Sequence, residues 1–287
     1  MYCDFFGLSE KPFTITPNPQ FIYLSDQHRE AFAHLLYGVD SHAGFIVLTG
    51  EVGTGKTTVL RTLLTQLDPE KYSTALLFNS CFNPEQLLAG VCREFGIAAD
   101  ERNSYGYLDA LNRFLLEQNS TGRTIVLVID EAQNLAPEVL EQVRMISNLE
   151  TERDKLIQII LAGQPELNNL LSRHDLRQLN QRVAVRCHLA PMGSGDTGRY
   201  IRHRLQVSGC RVPSLFTPGA VRRIFRYSGG IPRLINVVCE QALILAWTRE
   251  QERISPAMAK AVITAARTGP ETRSLWKRFY GWLWAGR

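Results

Sequence analysis

The stretch that decides the fold is Gly50-Glu51-Val52-Gly53-Thr54-Gly55-Lys56-Thr57, which matches the phosphate-binding pattern G-x-x-x-x-G-K-[ST]. Apolar residues 44–49 precede it and predict a buried strand, and residues 58–64 follow it and predict a helix. Strand, loop and helix in this order are the context that the pattern requires. We therefore predict that this loop, the P-loop, binds the phosphates of a nucleotide.

The residue types of the P-loop suit the phosphates of a nucleotide together with Mg²⁺. Glycines allow successive backbone N–H groups to point at phosphate oxygens, and the helix that follows adds its positive N-terminal end. Lys56 is placed to reach the β- and γ-phosphates, and the hydroxyl of Thr57 to ligate Mg²⁺. The predicted nucleotide contacts are the loop residues and the next residue: Gly50, Glu51, Val52, Gly53, Thr54, Gly55, Lys56, Thr57 and Thr58.

An acidic pair, Asp130 and Glu131, follows a continuous apolar run at 124–129. Such runs are typical of strands buried in parallel sheets. We predict that Asp130 holds Mg²⁺ through water, opposite Thr57, and that Glu131 polarises the attacking water as a general base. The alternative is a solvated strand end, since Asp-Glu pairs are common.

Gln164 stands just beyond another predicted buried strand at 155–163. If that strand lies beside the 124–129 strand, Gln164 points towards the γ-phosphate. It could then orient water or sense the phosphate. Alternatively, Gln164 only starts a helix before Pro165.

Arginines near the last predicted core strand, 183–189, are candidates for an arginine finger. Such a residue reaches the nucleotide of a neighbouring subunit and stabilises charge on the transferred phosphoryl group. The candidates are Arg177, Arg182 and Arg186. We prefer Arg182, although most surface arginines have no such role.

The rest of the chain predicts an α/β fold with a separate helical region. Further helices are predicted at about 26–39, 84–95, 104–118 and 136–149, and a further strand at 73–79. A glycine-rich break at 192–198 is followed by predicted helices only, at about 197–208, 217–229, 232–250 and 255–267. We divide the chain into an N-terminal lasso and helix packing on the core (1–43), a nucleotide-binding core (44–192), a helical lid (193–270) and an aromatic, basic tail (271–287).

Arg233 lies in the first turn of a predicted lid helix, within Gly229-Gly230-Ile231-Pro232-Arg233. A cation is locally unfavourable at the positive end of a helix. Its position therefore predicts a compensating anion. That anion is either the γ-phosphate of a nucleotide bound between the domains or a surface carboxylate.

Composition excludes few function classes. The chain has 287 residues and a net charge of +4, which is too weak to indicate nucleic acid by itself. None of its six cysteines is paired at C-x-x-C spacing, so we expect buried free thiols in a reducing compartment rather than a zinc site. The N-terminus has no signal-peptide pattern, and no run approaches the length of a membrane span.

These residues together resemble an AAA+ ATPase, that is, a P-loop NTPase with a parallel sheet, helices on both faces and a small C-terminal helical lid. More narrowly, the chain is similar to the ExeA/GspA family of secretion and pilus-assembly ATPases, over about residues 2–267. The residues that carry the resemblance are Phe6-Gly7-Leu8, Pro12-Phe13, Leu48 to Thr57, Asp130-Glu131-Ala132-Gln133-Asn134-Leu135, Asn148-Leu149-Glu150-Thr151, Gly163-Gln164-Pro165-Glu166-Leu167 and Gly229 to Asn236.

The resemblance implies roles by position. Lys56 and Thr57 belong to Walker A, Asp130 and Glu131 to Walker B, Gln164 is sensor 1 and Arg233 is sensor 2. It also implies ATP, Mg²⁺ and a homo-oligomer. It further implies a cytoplasmic protein, peripheral at the inner membrane, whose partner is an inner-membrane or envelope protein of a secretion or pilus machine.

Two departures from the family pattern matter. The start of the lid, 193–198, is unusually rich in glycine, so we expect the first lid helix to begin late. Family members of the ExeA type continue through a membrane span into a peptidoglycan-binding domain. This chain ends at Arg287, which favours the shorter MshM-like form found with MSHA-type pili.

The tail carries Trp276, Trp282 and Trp284 with interleaved Arg273, Lys277 and Arg278. Aromatic rings and cations of this kind fit a membrane interface, and we predict peripheral membrane contact by residues 272–287. Docking on the lid or on a partner is the alternative.

Three functions compete. The leading one is an ATPase that drives a secretion or type IV (MSHA-like) pilus machine. The alternatives are a DNA-associated AAA+ ATPase of the transposition-helper or initiator type, and a nucleotide switch that recruits a partner. Nucleic acid is the less favoured partner, because the lid arginines form no obvious recognition helix.

Overall fold

A computed structural model of the chain describes residues 2–14, 18–78, 83–99, 103–150, 155–210, 212 and 214–267. These residues divide into two compact units. The first, the core unit, spans residues 26–190. The second, the C-terminal unit, combines the described residues of 1–25 with those from 191 onwards.

The core unit is built on a parallel sheet of five strands in the order β2-β3-β4-β1-β5. The strands are β1 (Phe45–Thr49), β2 (Tyr72–Leu77), β3 (Thr124–Ile129), β4 (Ile157–Gly163) and β5 (Val183–His188). Strand β4 pairs with β1 on one side and β3 on the other. The adjacency of the 124–129 and 155–163 strands, on which the predicted position of Gln164 depends, is therefore confirmed.

Helices cover both faces of this sheet, because side chains alternate between faces along each buried strand. On one face Ile46, Leu48 and Val126 pack with α2 (Asp26–Asp40) and α3 (Lys56–Gln66). On the other face Val47 and Leu127 pack with helices that follow later in the chain. These helices are α4 (Pro84–Glu94), α5 (Ser104–Ser120), α6 (Pro137–Ile146), α7 (Glu166–Leu171) and α8 (Arg177–Gln181).

The C-terminal unit is a bundle of four long helices with a short helix from the other end of the chain. The long helices are α9 (Ser194–Val207), α10 (Pro218–Ser228), α11 (Pro232–Thr248) and α12 (Pro256–Arg267), and the short one is α1 (Tyr2–Phe6). Their apolar faces share one buried cluster, which includes Phe13, Ile224 and Leu243. Among the described helices, none is both long and apolar enough to cross a membrane.

The N-terminal segment differs from our expectation that residues 1–43 pack together on the nucleotide-binding core. Helix α2 does belong to the core unit, but the described residues among 1–25 cluster with the C-terminal helices. The Tyr2 hydroxyl donates to Glu240, and the Ser9 N–H donates to the Ser208 carbonyl at 2.8 Å. The ring of Phe13 meets Phe216 edge-on. Burial of these apolar side chains against the bundle explains the difference.

The first C-terminal helix also begins earlier than the glycine pattern predicts. Helix α9 starts at Ser194, and the N–H of Thr197 already donates to the Gly193 carbonyl at 2.9 Å. Thr197 is fully buried. Burial of the α9 face outweighs the low helix propensity of Gly195 and Gly198. The tail at 271–287 lies outside the described residues.

Candidate nucleotide site

The P-loop connects the buried strand β1 to the start of α3 at Lys56. Two of its glycines, Gly53 and Gly55, have positive φ angles of 81° and 105°. Residues other than glycine are strained at positive φ angles. The backbone conformation of the loop therefore explains why glycine stands at these two positions. A Cβ atom added at Gly55 would also lie 2.7 Å from Nε2 of His28.

Lys56 is buried, with 6% of its surface exposed, and its side chain turns back over the loop. Its Nζ donates to the carbonyl of Gly50 at 2.7 Å and to that of Glu51 at 3.2 Å. Burial lowers the pKa of Lys56, while the nearby carboxylates of Glu131 and Asp130 oppose this shift. The ammonium therefore lies in the field of the acidic pair, as a phosphate-binding lysine should.

Thr57 and Asp130 meet at the end of β3. The hydroxyl of Thr57 donates to Oδ2 of Asp130 at 2.6 Å, and the N–H of Glu131 donates to Oδ1 at 2.9 Å. Asp130 is 3% exposed. Hydrogen bonds to both of its carboxylate oxygens therefore fix the orientation of the buried side chain. A hydroxyl and a carboxylate are hard oxygen ligands. The two predicted metal-binding residues therefore fit Mg²⁺.

Glu131 and Gln164 are also brought together. Because β4 lies between β1 and β3, Gln164 emerges between the P-loop and the acidic pair. Nε2 of Gln164 lies 3.5 Å from Oε2 of Glu131, a long hydrogen bond. Glu131 itself has a positive φ of 54°, which turns the chain sharply after Asp130.

Gln133 is a residue of this site to which the sequence assigned no role. Its Nε2 donates to Oε2 of Glu131 at 2.7 Å, and its Oε1 accepts from the N–H of Gln164 at 3.0 Å. The residue lies in the string that resembles the ExeA/GspA family. Its contact with Gln164, 31 positions later, arises only once β3 and β4 are paired.

His28 is a second residue that sequence reasoning missed. It lies on α2, is 3% exposed and has its Nε2 2.9 Å from the carbonyl of Thr54. The ring supports the P-loop from the side of the sheet that α2 and α3 cover. His28 belongs to no sequence motif. A polar ring on the buried face of a helix is nevertheless a pattern from which a hydrogen-bonding role could have been predicted.

The candidate arginine fingers are all exposed in the core unit. Arg182 donates to the hydroxyl of Ser147 at 3.0 Å, and Arg186 donates to the amide oxygen of Asn180. Arg177 begins α8. None of these contacts involves the P-loop or the acidic pair. The finger role of Arg182 therefore stays a prediction about an assembled oligomer.

Arg233 is the second residue of α11 and is exposed. It follows Pro232, which starts the helix as the sequence predicts. Arg233 belongs to the C-terminal unit, whereas the P-loop, the acidic pair and Gln164 belong to the core unit. Its role as sensor 2 stays a prediction.

Comparisons of the sequence with known proteins agree with the P-loop geometry described above. Residues 39–171 match a family model described as an AAA domain. The chain is also 49% identical, over 255 residues, to general secretion pathway protein A of Aeromonas hydrophila. This alignment covers 88% of the chain and 46% of the relative, so the chain spans less than half the length of that protein.

Solved structures with the same fold are more distant in sequence. The ORC2 protein of Aeropyrum pernix, solved in ADPNP and ADP complexes, has a TM-score of 0.67 and 16% identity, covering 89% of this chain and 71% of its own. Cdc6p of Pyrobaculum aerophilum has a TM-score of 0.65 and 19% identity, with 86% and 70% covered. At such identities the likeness shows the fold alone. Together with the site geometry and the AAA-domain match, it shows that the chain has a P-loop fold of the AAA+ type, and the chain is similar in sequence to general secretion pathway protein A.

Proposed function

We propose that this protein hydrolyses ATP with Mg²⁺ and uses the energy to drive assembly of a secretion or type IV (MSHA-like) pilus machine at the inner membrane. The observation that carries the proposal is the convergence of Thr57, Asp130 and Glu131 at one edge of the sheet. The sequence relationship to general secretion pathway protein A supports the secretion context.

Each residue of the site has a distinct role in this proposal. Lys56 and the P-loop amides would bind the phosphates, and Thr57 and Asp130 would hold Mg²⁺, which supplies neutralisation of phosphate charge when bound. Glu131 accepts a proton from the attacking water, and Gln164 orients that water.

Two arginines complete the site from elsewhere. Arg182 of a neighbouring subunit acts as the arginine finger, which makes a homo-oligomer the active form. Arg233 acts as sensor 2 in this proposal and binds the γ-phosphate.

Glu131→Gln tests the coupling of hydrolysis to assembly. The amide keeps the shape of the carboxylate but cannot accept the proton. In cells that lack the native protein, we expect this variant to bind ATP, to hydrolyse it about 1000-fold more slowly and to fail in secretion or pilus assembly. Glu138→Gln, at an exposed acid on α6, is the matched control. Normal assembly with the Glu131→Gln variant would mean that ATP acts as a switch and that its turnover is incidental.

Peripheral membrane contact by residues 272–287 is part of the same proposal. Deletion of this tail is expected to move the protein from the membrane fraction to the soluble fraction. Unchanged fractionation would remove the tail from the proposal without affecting the nucleotide site.

A DNA-associated AAA+ ATPase is the second candidate. The observation that favours it is an exposed basic group on α10, formed by Arg222, Arg223 and Arg226. A gel-shift assay at increasing salt separates the two candidates, because binding through DNA phosphates weakens steeply with salt. The proposed secretion role predicts no salt-sensitive shift at physiological ionic strength.

A further inference from the structure

Gln133 uses both ends of its side-chain amide within the candidate site. The Nε2 group donates to Glu131, and the Oε1 atom accepts from the backbone of Gln164. The N–H of Gly50, at the start of the P-loop, donates to the carbonyl of Gly163, the residue before Gln164. Gln133 therefore joins the end of β4, which the P-loop also contacts, to the carboxylate of Glu131.

Both amide donors reach the same carboxylate oxygen. Gln133 at 2.7 Å and Gln164 at 3.5 Å donate to Oε2 of Glu131, and neither donates to Oε1. The shorter bond fixes the rotation of the carboxylate. Oε1 is thereby left as the oxygen that can accept a proton from water.

Gly163 provides the space that this arrangement needs. A Cβ atom at this position would lie 2.6 Å from Oε1 of Gln133 and 3.2 Å from a methyl group of Leu167. The φ angle of Gly163 is not in the left-handed region. The need for glycine therefore comes from the close approach of Gln133 rather than from the backbone path.

We propose that Gln133 is a positioning residue, which orients the Glu131 carboxylate so that Oε1 is presented to the attacking water. This inference rests on the proposed role of Glu131 as general base. Gln133 touches neither nucleotide nor water in this proposal and acts only through Glu131 and Gln164.

The variants Gln133→Glu and Gln133→Met test the hydrogen bond to Glu131 separately from the hydrogen bond to Gln164. Glutamate at position 133 can still accept from the Gln164 N–H but cannot donate to Glu131, whereas methionine does neither. We expect both variants to lower kcat for ATP hydrolysis about tenfold, with the Kd for ATP changed less than twofold, because a hydrogen bond to a charged group is lost. Asn134→Asp, at the exposed neighbouring residue, controls for the added charge.

A structural role alone gives a different pattern. If Gln133 only held the end of β4, the Gln133→Glu variant would keep its kcat and only the Gln133→Met variant would lose activity, which would overturn the proposal. A raised kcat in either variant would also overturn it, since Gln133 would then restrain Glu131. Gly163→Ala should displace the Gln133 side chain, because the added Cβ would meet its Oε1 atom. The effects of Gly163→Ala and Gln133→Met on kcat should therefore not be additive.

The failure of this inference can be told from failure of the proposed function. If Glu131→Gln retains hydrolysis, Glu131 is not the base, and both proposals fail. If the Glu131→Gln variant is inactive but the Gln133→Glu variant matches the Asn134→Asp control, only the positioning role fails.

Discussion

The hydroxyl of Thr57 donates a hydrogen bond to Oδ2 of Asp130 at 2.6 Å, although the two residues are 73 positions apart. This bond joins the first turn of α3 to the end of β3. The strand order makes it possible, because β1 and β3 flank β4 and end at the same edge of the sheet. It defines the place where a divalent cation would be held beside the phosphates.

Thr57→Val removes the hydroxyl and keeps the shape of the side chain. We expect ATP hydrolysis to fall about 10- to 100-fold and to need more Mg²⁺, because one predicted oxygen ligand is lost. Thr57→Ser should restore most of the activity. Steady-state hydrolysis measured against Mg²⁺ concentration checks this, with Thr65→Val on the same helix as control. An unchanged Mg²⁺ dependence would contradict the assignment of Thr57.

His28→Ala removes the ring that supports the P-loop at Thr54 and Gly55. We expect the affinity for ATP to fall about tenfold, since the loop loses a hydrogen-bonded neighbour and the constraint on its path. Calorimetric titration with ATP checks the prediction. His34→Ala changes an exposed histidine on the same helix and should leave the affinity intact. Equal affinities for the two variants would show that His28 only fills space.

Much of the site could be predicted because its signals are local. The P-loop and the Asp130–Glu131 pair each follow an apolar run whose burial in a parallel sheet could be predicted from the sequence. Gln164 required one further assumption, the adjacency of β3 and β4, which the structure bears out. The roles of Gln133 and His28 were not predicted, because their hydrogen-bond partners lie far away in sequence. These contacts form only when the strands and helices pack together.

Phe13→Ala tests the assignment of the N-terminal segment to the C-terminal unit. Phe13 is 1% exposed and meets Phe216 with ring centroids 5.9 Å apart. We expect the variant to lose about 3–5 kcal/mol of unfolding free energy in that unit. Hydrogen exchange should speed up in α10 to α12 and not in the core strands. Phe5→Ala, at a ring that is 40% exposed, should cost about 1 kcal/mol. Faster exchange confined to the core strands would contradict the assignment.

This N-terminal association could not be read from the sequence. The apolar residues near the N-terminus indicate that the segment is buried but not against which part of the chain. Their contacts, such as Tyr2 with Glu240, span more than 200 positions. The lid helices were predicted from caps and prolines. The largest difference is that α9 starts earlier than predicted, because burial outweighed the low helix propensity of its glycines.

Buried thiols predict how stability changes at alkaline pH. Burial raises the pKa of Cys187 from an ordinary 9.0 to about 12. The folded state therefore holds a proton between pH 9 and 12 that the unfolded state releases. The resulting stability is present below pH 9 and is lost as the pH rises through 12, by about 1 kcal/mol per pH unit.

Urea unfolding of Cys187→Ala at pH 8 and pH 10 checks this prediction. The variant should show a smaller loss of unfolding free energy between the two pH values than the unsubstituted protein. Cys210→Ala, at a partly exposed thiol, is the control for replacing a cysteine by alanine. If the unfolding free energy falls equally between pH 8 and pH 10 in all three proteins, Cys187 ionises as easily in the folded chain as in the unfolded one.

The central claim is that the P-loop and the acidic pair act on one nucleotide, and ATP binding and hydrolysis measured on the same Lys56→Ala and Glu131→Gln samples test it most directly. Arg61→Ala, which removes another cation of α3, is the control. We predict that Lys56→Ala loses both binding and hydrolysis, whereas Glu131→Gln binds ATP but hydrolyses it about 1000-fold more slowly. Hydrolysis at the control rate by either variant would contradict the account.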